Sequence, residues 1–262
     1  MTIDEDYEIT GNQGAASRKE AGNHTVSVII PTYNRSHVLR ECLRSVLGQT
    51  YKSMQIIVTD DGQNDLVKTV LEETDNESRI EYRRNTTRLG LPANRNAGLA
   101  LAKGQLVVFL DDDSVMEVDC IERLVSAYAD LSANGLKIGA IGPSLMTDQA
   151  GKQARFLEFG LRSLSARQSS PVMRNRFTGI SRMSFSPEHS GVIHVDELHS
   201  NSMYVRQVLD QVGGYEERLY QGNYLCEETD LHARIKRAGF GLYFNSSAVI
   251  HHKHAESGGC RT

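Results

Sequence analysis

Cysteine is scarce and scattered in this sequence. Cys42, Cys120, Cys226 and Cys260 form no C-x-x-C pair. That excludes a disulfide framework and a zinc knuckle, and it leads us to expect a reduced, cytoplasmic setting. An excess of basic charge is missing too. A net charge of −4 excludes nucleic acid as the main partner. No apolar stretch approaches the roughly 18–20 residues of a membrane span, so no transmembrane segment is expected. The opening "MTIDEDYEITGNQGAASRKEAGN" is polar and begins acidic, the opposite of a secretory signal. Residues 1–24 are expected to form a disordered polar tail. Internal repeats and low-complexity tracts are absent.

What is present describes an ordinary globular chain. Hydrophobic residues make up 39% and charged residues 24% of its 262 residues, enough for one large domain or two small ones. The first half alternates strand and helix signals. "VSVII" (26–30), "QIIVT" (55–59), "RIEYRR" (79–84) and "QLVVFL" (105–110) read as strands, short and rich in β-branched residues. Between them, Ser36 to Gly48, "DLVKTVLEET" (65–74) and a run from Pro92 through "ANRNAGLALAK" to Gly104 read as helices, followed by "VDCIERLVSAYADL" (118–131). Such alternation predicts an α/β fold with a mostly parallel sheet flanked by helices. Between Gly151 and Val192 seven basic side chains face two acidic ones. Periodicity fades there, which predicts either a loop-rich insertion or a surface for an anionic ligand. Regular structure is expected again in "SMYVRQVLDQVGGY" (202–215), in a helix at 227–240 and in a strand at 241–252.

Two acidic clusters follow strands: Asp60-Asp61, and Asp111-Asp112-Asp113. Carboxylates at the C-terminal edge of an open α/β sheet stand where such folds bind ligands. Asp60-Asp61-Gly62 alone is explained by a turn. Three consecutive acids have no such turn role, and their mutual repulsion asks for a positive partner. Hard oxygen ligands of this kind suit Mg²⁺ or Mn²⁺, completed by phosphate oxygens.

"VSVIIPTYNR", "IIVTDDG", "GLPANRNAGLALAKGQLVVFLDDD" and "GGYEERLYQGNYLCEETDLHARIKRAGF" together resemble the successive motifs of family 2 glycosyltransferases with the GT-A fold, from about Thr25 to His252. The resemblance implies one domain over 25–262, with a nucleotide-sugar-binding half (25–144) and a half carrying the acceptor site and the catalytic base (145–262). It implies a UDP-, GDP- or dTDP-sugar donor, a divalent cation (Mn²⁺ or Mg²⁺) and transfer with inversion to a glycan, lipid-linked or small-molecule acceptor. Peripheral work at the inner face of a membrane is compatible with it.

Residue by residue, Pro31, Thr32, Tyr33, Asn34 and Arg35 stand at the loop that meets the nucleoside. Asp60, with Asp61 beside it, stands at the acid that bonds the base. Arg95 stands at a basic residue near the donor. Asp111 and Asp113 match the two acids of the D-x-D motif, Asp113 as the direct metal ligand, and Asp112 takes the middle position. The second acidic motif reads Glu227-Glu228-Thr229-Asp230-Leu231. Glu228 stands at the base, one methylene longer than the usual Asp, and Glu227 is its alternative. Acids at a helix start are the competing explanation. In Ile250-His251-His252-Lys253-His254, His252 matches a metal-completing histidine. "SGGCR" (257–261), with Arg261, is a candidate diphosphate wrap, and the family pattern predicts a further helix after it. Two rival readings are a sugar-nucleotide pyrophosphorylase, whose glycine-rich basic loop "PTYNRS" does not supply, and a catalytically silent binding module, against which the intact acids argue.

Overall fold

A computed structural model describes residues 24–75, 78–147, 172–174, 181–183, 185–218 and 227–253. The polar tail, most of the basic stretch, His254 and the 257–261 segment lie outside them. Strand β1 (Val26–Thr32) is buried at every position, which is why it reads as a continuous apolar run. Alternate residues face two separate cores. Val26, Val28 and Ile30 pack with helix α1 (Ser36–Leu47), α2 (Leu66–Thr74) and α4 (Cys120–Ala133). Ile29 packs on the other face with α5 (Arg206–Val212) and α6 (Glu227–Arg237).

Strands β2 (Met54–Asp60), β3 (Ile80–Arg84) and β4 (Leu106–Phe109) run parallel to β1, in the order β3-β2-β1-β4. The sheet continues through β10 (Met203–Val205), β6 (Ile138–Thr147) and β11 (Gly241–His252) to β5 (Ser114–Met116). β9 (Val192–Val195) pairs with the first part of β11. β10, β5 and β9 run against the others. A separate hairpin joins β7 (Val172–Arg174) and β8 (Ser181–Met183). The expected α/β architecture is what the chain adopts.

Differences from the sequence pattern have physical causes. Helix α3 (Leu91–Leu99) stops short of Gly104, because Lys103 and Gly104 donate their N–H groups to the buried Ser27 hydroxyl. The 202–215 stretch is a three-residue strand followed by a short helix. β6 and β9 carry no strand pattern clear enough to predict. β6 contains Gly139, Gly142 and Pro143, residues that weaken strand propensity.

The site's position follows from the order of strands. The chain adds β2 and β3 on one side of β1 and then β4 on the other, and a crevice opens at such a reversal. Pairing between β1 and β4 ends at Ile29 and Phe109. β1 then continues beside β2 alone as far as Thr32 opposite Asp60. Pro31, which has no N–H for a ladder, falls beyond the last β1–β4 pair.

Helix α3 lies so close to β1 that a Cβ on Gly98 would sit 2.3 Å from Ile29 Cγ2. Gly98→Ala should therefore destabilise the protein by about 1–3 kcal/mol through overpacking, although Ala is the better helix former. Urea unfolding measures it. A gain in stability would show that α3 has room to move.

Candidate functional site

Arg95 is the centre of the site. It is 1% exposed, on α3 beneath the crevice. One guanidinium nitrogen donates to Asp111 Oδ1 at 2.9 Å and another to Glu227 Oε1 at 2.9 Å. Its Cζ lies over the Tyr215 ring, 5.0 Å from the ring centroid. Burial alone would disfavour its charge, but Tyr215, Asp111, Glu227 and Glu228 outweigh that and keep it protonated. The end of β4 and the start of α6 are thereby joined through a single side chain. The sequence reading put Arg95 near a donor; the structure commits both of these contacts to the protein's own acids.

Asp111 is held on its other side as well. Its Oδ2 accepts from Ser200 Oγ at 2.8 Å and Asn201 Nδ2 at 3.3 Å, and its backbone N–H donates to Asn201 Oδ1. Burial would raise its pKa, yet Arg95 and then His252 reverse the sign and hold it below the ordinary carboxylate range. Ser200 and Asn201 were not singled out by the sequence. Their motif, "SNS" before a strand, carries no chemistry legible by spacing alone.

Asp112 and Asp113 face the first loop. Thr32 Oγ1 donates to Asp112 Oδ2 at 2.7 Å across the crevice. Arg35 donates to Asp112 Oδ1 at 3.1 Å and to Asp113 Oδ2 at 3.2 Å. Burial pushes Asp112 up to about 7, with Arg35 and Thr32 pulling it back. Asp113 Oδ1 lies 3.0 Å from His252 Nε2 at the end of β11, and the next residue, Lys253, donates its N–H to the Asp113 carbonyl. A cavity of about 210 Å³ beside Asp113 is lined by His37, Val38, Glu41, Val115 and Lys253. His251 turns away and pairs with Glu117 at 2.7 Å.

At the far side of the crevice Asp60 is fully buried. Its oxygens accept from the Gly62 N–H at 2.7 Å and the Tyr82 hydroxyl at 2.9 Å. Burial raises its pKa, and Tyr82 is pushed up to about 12 by burial and by Asp60. Asp61 accepts from Asn85, Leu89 N–H and Gly90 N–H, so it anchors the loop that opens α3. Tyr33 is half-buried with the Arg88 guanidinium 4.2 Å over its ring. Asn34 is exposed at φ 55°, a left-handed conformation Asn tolerates. Asn94, one residue before Arg95, donates to the carbonyls of Thr32 and Thr59, tying the ends of β1 and β2 to the same helix.

Glu227 and Glu228 open α6, where a helix favours negative charge. Glu227 is 3% exposed and tied to Arg95. Glu228 is less buried, and its pKa is raised first by burial and then by Glu227.

Five carboxyl groups thus gather around two guanidinium groups, and further positive charge would be favourable. Asp113 and His252 offer an oxygen and a nitrogen facing each other, a donor pair that fits Mn²⁺ or Mg²⁺. Asp111, the other expected metal acid, accepts from Arg95, Ser200 and Asn201, and a carboxylate oxygen that accepts one hydrogen bond can still ligate a cation. Among the described residues no three His, Cys, Asp or Glu side chains stand close enough to hold a metal ion by themselves. The residues therefore fit a cation whose remaining ligands are water and phosphate oxygens.

Residues 27–187 match the family model of glycosyl transferase family 2. A Campylobacter jejuni GalNAc(5)-diNAcBac-PP-undecaprenol beta-1,3-glucosyltransferase is 30% identical over 59% of this chain and 49% of its own length. A Haloferax volcanii glucosyl-dolichyl phosphate glucuronosyltransferase is 25% identical over 87% of this chain and 69% of its own. Among solved structures, GalNAc-T7 with UDP, GalNAc and Mn²⁺ superposes with a TM-score of 0.68 at 18% identity, over 90% of this chain and 45% of the other. S. aureus TarS gives 0.59 at 16%, over 87% and 36%. The likeness to both is one of fold. The chain spans about half the length of the Campylobacter relative and of GalNAc-T7, and about a third of TarS.

The segment holding Asp111 is itself fixed by His199. Its Nε2 lies 2.7 Å from the Pro143 carbonyl, and burial pushes its pKa down to about 4. A histidine neutral in the fold but protonated in the unfolded chain stabilises above its unfolded pKa, near 6.5, and loses that contribution as pH falls toward 4. His199→Gln should remove about one proton from the slope, about 1.4 kcal/mol per pH unit, between those limits. Urea unfolding of both proteins at several pH values measures the difference. Identical slopes would mean His199 is charged in the fold.

Proposed function

The chain belongs to glycosyl transferase family 2, and we propose that it transfers a sugar from a nucleotide-sugar donor to an acceptor hydroxyl, with inversion at the anomeric carbon. The observation that carries this reading is the Arg95 bridge. It puts the acids after β4 and the acids opening α6 into one site, as a reaction with a diphosphate leaving group and a general base requires.

In this reading Thr32 and Tyr33 meet the nucleoside, and Asp60 exchanges the Tyr82 hydroxyl for an N–H of the base. Asp113 and His252 would hold Mn²⁺ or Mg²⁺ with the donor's diphosphate. When bound, that cation neutralises the charge that grows on the leaving diphosphate. Arg35, already across Asp112 and Asp113, keeps those carboxylates aimed at it. Glu228 accepts the proton of the acceptor hydroxyl while that oxygen bonds to the anomeric carbon. The bond from that carbon to the diphosphate oxygen breaks, and its electron pair leaves with the diphosphate. A carboxylate raised by burial is a better proton acceptor than a solvated one. Glu227 is spent on Arg95, which leaves Glu228 as the base.

For the acceptor we favour a lipid-linked sugar. The Campylobacter relative is named for a PP-undecaprenol-linked sugar and the Haloferax relative for a glucosyl-dolichyl phosphate, and these names support the reading. No helix among the described residues is long and apolar enough to cross a membrane. Our reading has the enzyme work on such a carrier peripherally, at the cytoplasmic face.

The test is a screen of UDP-, GDP- and dTDP-sugars, with Mn²⁺, Mg²⁺ or EDTA, against undecaprenyl-diphosphate-linked sugars. Transfer should vanish in EDTA. With the donor so found, Glu228→Gln should lower kcat by roughly 10²–10⁴-fold and leave donor affinity near wild type. Full turnover in EDTA would remove the cation, and full activity of Glu228→Gln would remove the base.

A further inference from the structure

Helix α6 is tied to the sheet at a second point that the chemistry above does not use. His232 follows Glu228 by four residues, on the same side of the helix, and is 1% exposed. Its Nδ1 accepts from the Leu198 N–H at 3.4 Å, and its Nε2 lies 2.9 Å from the Tyr204 hydroxyl on β10. Acceptance at Nδ1 puts the proton on Nε2, so the ring donates to the tyrosine. The two rings stack at 13° with centroids 5.9 Å apart. Burial, with His199 and Lys236 acting in the same direction, pushes His232 down to about 3 and keeps it neutral.

The contacts then close on themselves. The Tyr204 hydroxyl lies beside that of Tyr215, the Tyr215 ring lies under Arg95, and Arg95 returns to α6 at Glu227. At 1.5 Å per residue the two tethers, Glu227 and His232, stand about 7.5 Å apart along the helix. Glu228 lies between them. Leu231 and Ile235 bury the same helix, but apolar contact has no preferred direction, whereas a hydrogen bond weakens steeply when bent. A turn of about 20° about the axis would move a side-chain tip on a helix of this radius by about 2 Å. Burying an imidazole and a phenol where two apolar side chains would serve is costly unless each finds a partner.

We propose that Tyr204 and His232 are positioning residues, whose hydrogen bond sets the rotation of α6 and hence the aim of the Glu228 carboxylate. This rests on the assignment of Glu228 as the base. The groups around that carboxylate are Glu227 on its own helix, Arg95 from α3, Tyr204 from β10, and Tyr215.

Tyr204→Phe keeps the stacked ring and deletes only the hydroxyl. The Glu228 carboxyl is followed by ¹³C NMR, identified by the signal lost in Glu228→Gln, together with kcat and donor KM. In Tyr204→Phe the Glu228 titration should move down toward the ordinary carboxylate range as the group becomes solvated. kcat should fall at least about 10-fold, with donor KM unchanged within about twofold. His232→Leu should behave alike, and His232→Gln, which returns an N–H to Tyr204, should recover most of kcat. An unmoved titration with an unchanged kcat would overturn the positioning role and leave the transfer reaction standing. If the wild-type protein transfers no sugar, the functional reading falls, and the Glu228 titration alone still decides the geometry. Should Tyr204→Phe not fold, ¹⁵N NMR of His232 in the wild type decides. A neutral ring protonated at Nε2 supports the proposal, and an Nδ1–H tautomer or a titration near 6.5 overturns it.

Discussion

One buried guanidinium holds two carboxylates that belong to distant parts of the chain. Arg95 reaches Asp111 and Glu227 at equal distances of 2.9 Å, and the second pair is 132 residues apart in sequence. The desolvation of such a cluster is expensive. It is offset in part because Asp111 is also paired with Ser200 and Asn201 and the guanidinium lies over the face of Tyr215. The buried Arg95 Nε has no hydrogen-bond partner among the described residues. A hydrophobic cluster of the same volume would fill the space. It could not set both acid groups in one orientation relative to each other, and the site needs that orientation.

Helix α3 is the element that makes this arrangement. Within five residues it supplies Asn94 to the ends of β1 and β2, Arg95 to the two acid groups, Asn96 to the backbone of Tyr215, and Gly98 as the gap that lets the helix lie against Ile29. Each contact faces a different strand or loop, so α3 carries little amphipathic pattern and spends its side chains on fixing geometry. Asp61 and Asn85 brace the loop at its start. The acids after β4 and at the start of α6 are therefore positioned from α3.

Much of the fold was legible in the sequence because β1, β2 and β4 are mostly buried and rich in β-branched residues. The ends of those strands marked the site through their acids. The strands that complete the sheet were harder to see: β6 is interrupted by glycine and proline, and β10 is only three residues long. At the site, residue type exposed the acids but not their partners. Nothing in the spacing of Ser200 and Asn201 predicts that they hold Asp111, since the contact spans about ninety residues. Arg95 was singled out for its place in a motif, yet its two-sided contact with Asp111 and Glu227 is visible only in three dimensions. The same holds for His232 and Tyr204, which by pattern alone are unremarkable core positions.

The most direct measurement of the Arg95 bridge is a stability cycle read by urea unfolding. Arg95→Met is made in the wild-type chain and in one already carrying Asp111→Asn and Glu227→Gln. Removing the guanidinium alone leaves two buried carboxylates without a counter-charge and should cost about 3–5 kcal/mol. With both acids already neutral, the same change should cost less than about 1–2 kcal/mol, because the coupled groups share one interaction. Equal costs in the two backgrounds would contradict the account, since Arg95 would then be only a filler of space between β4 and α6.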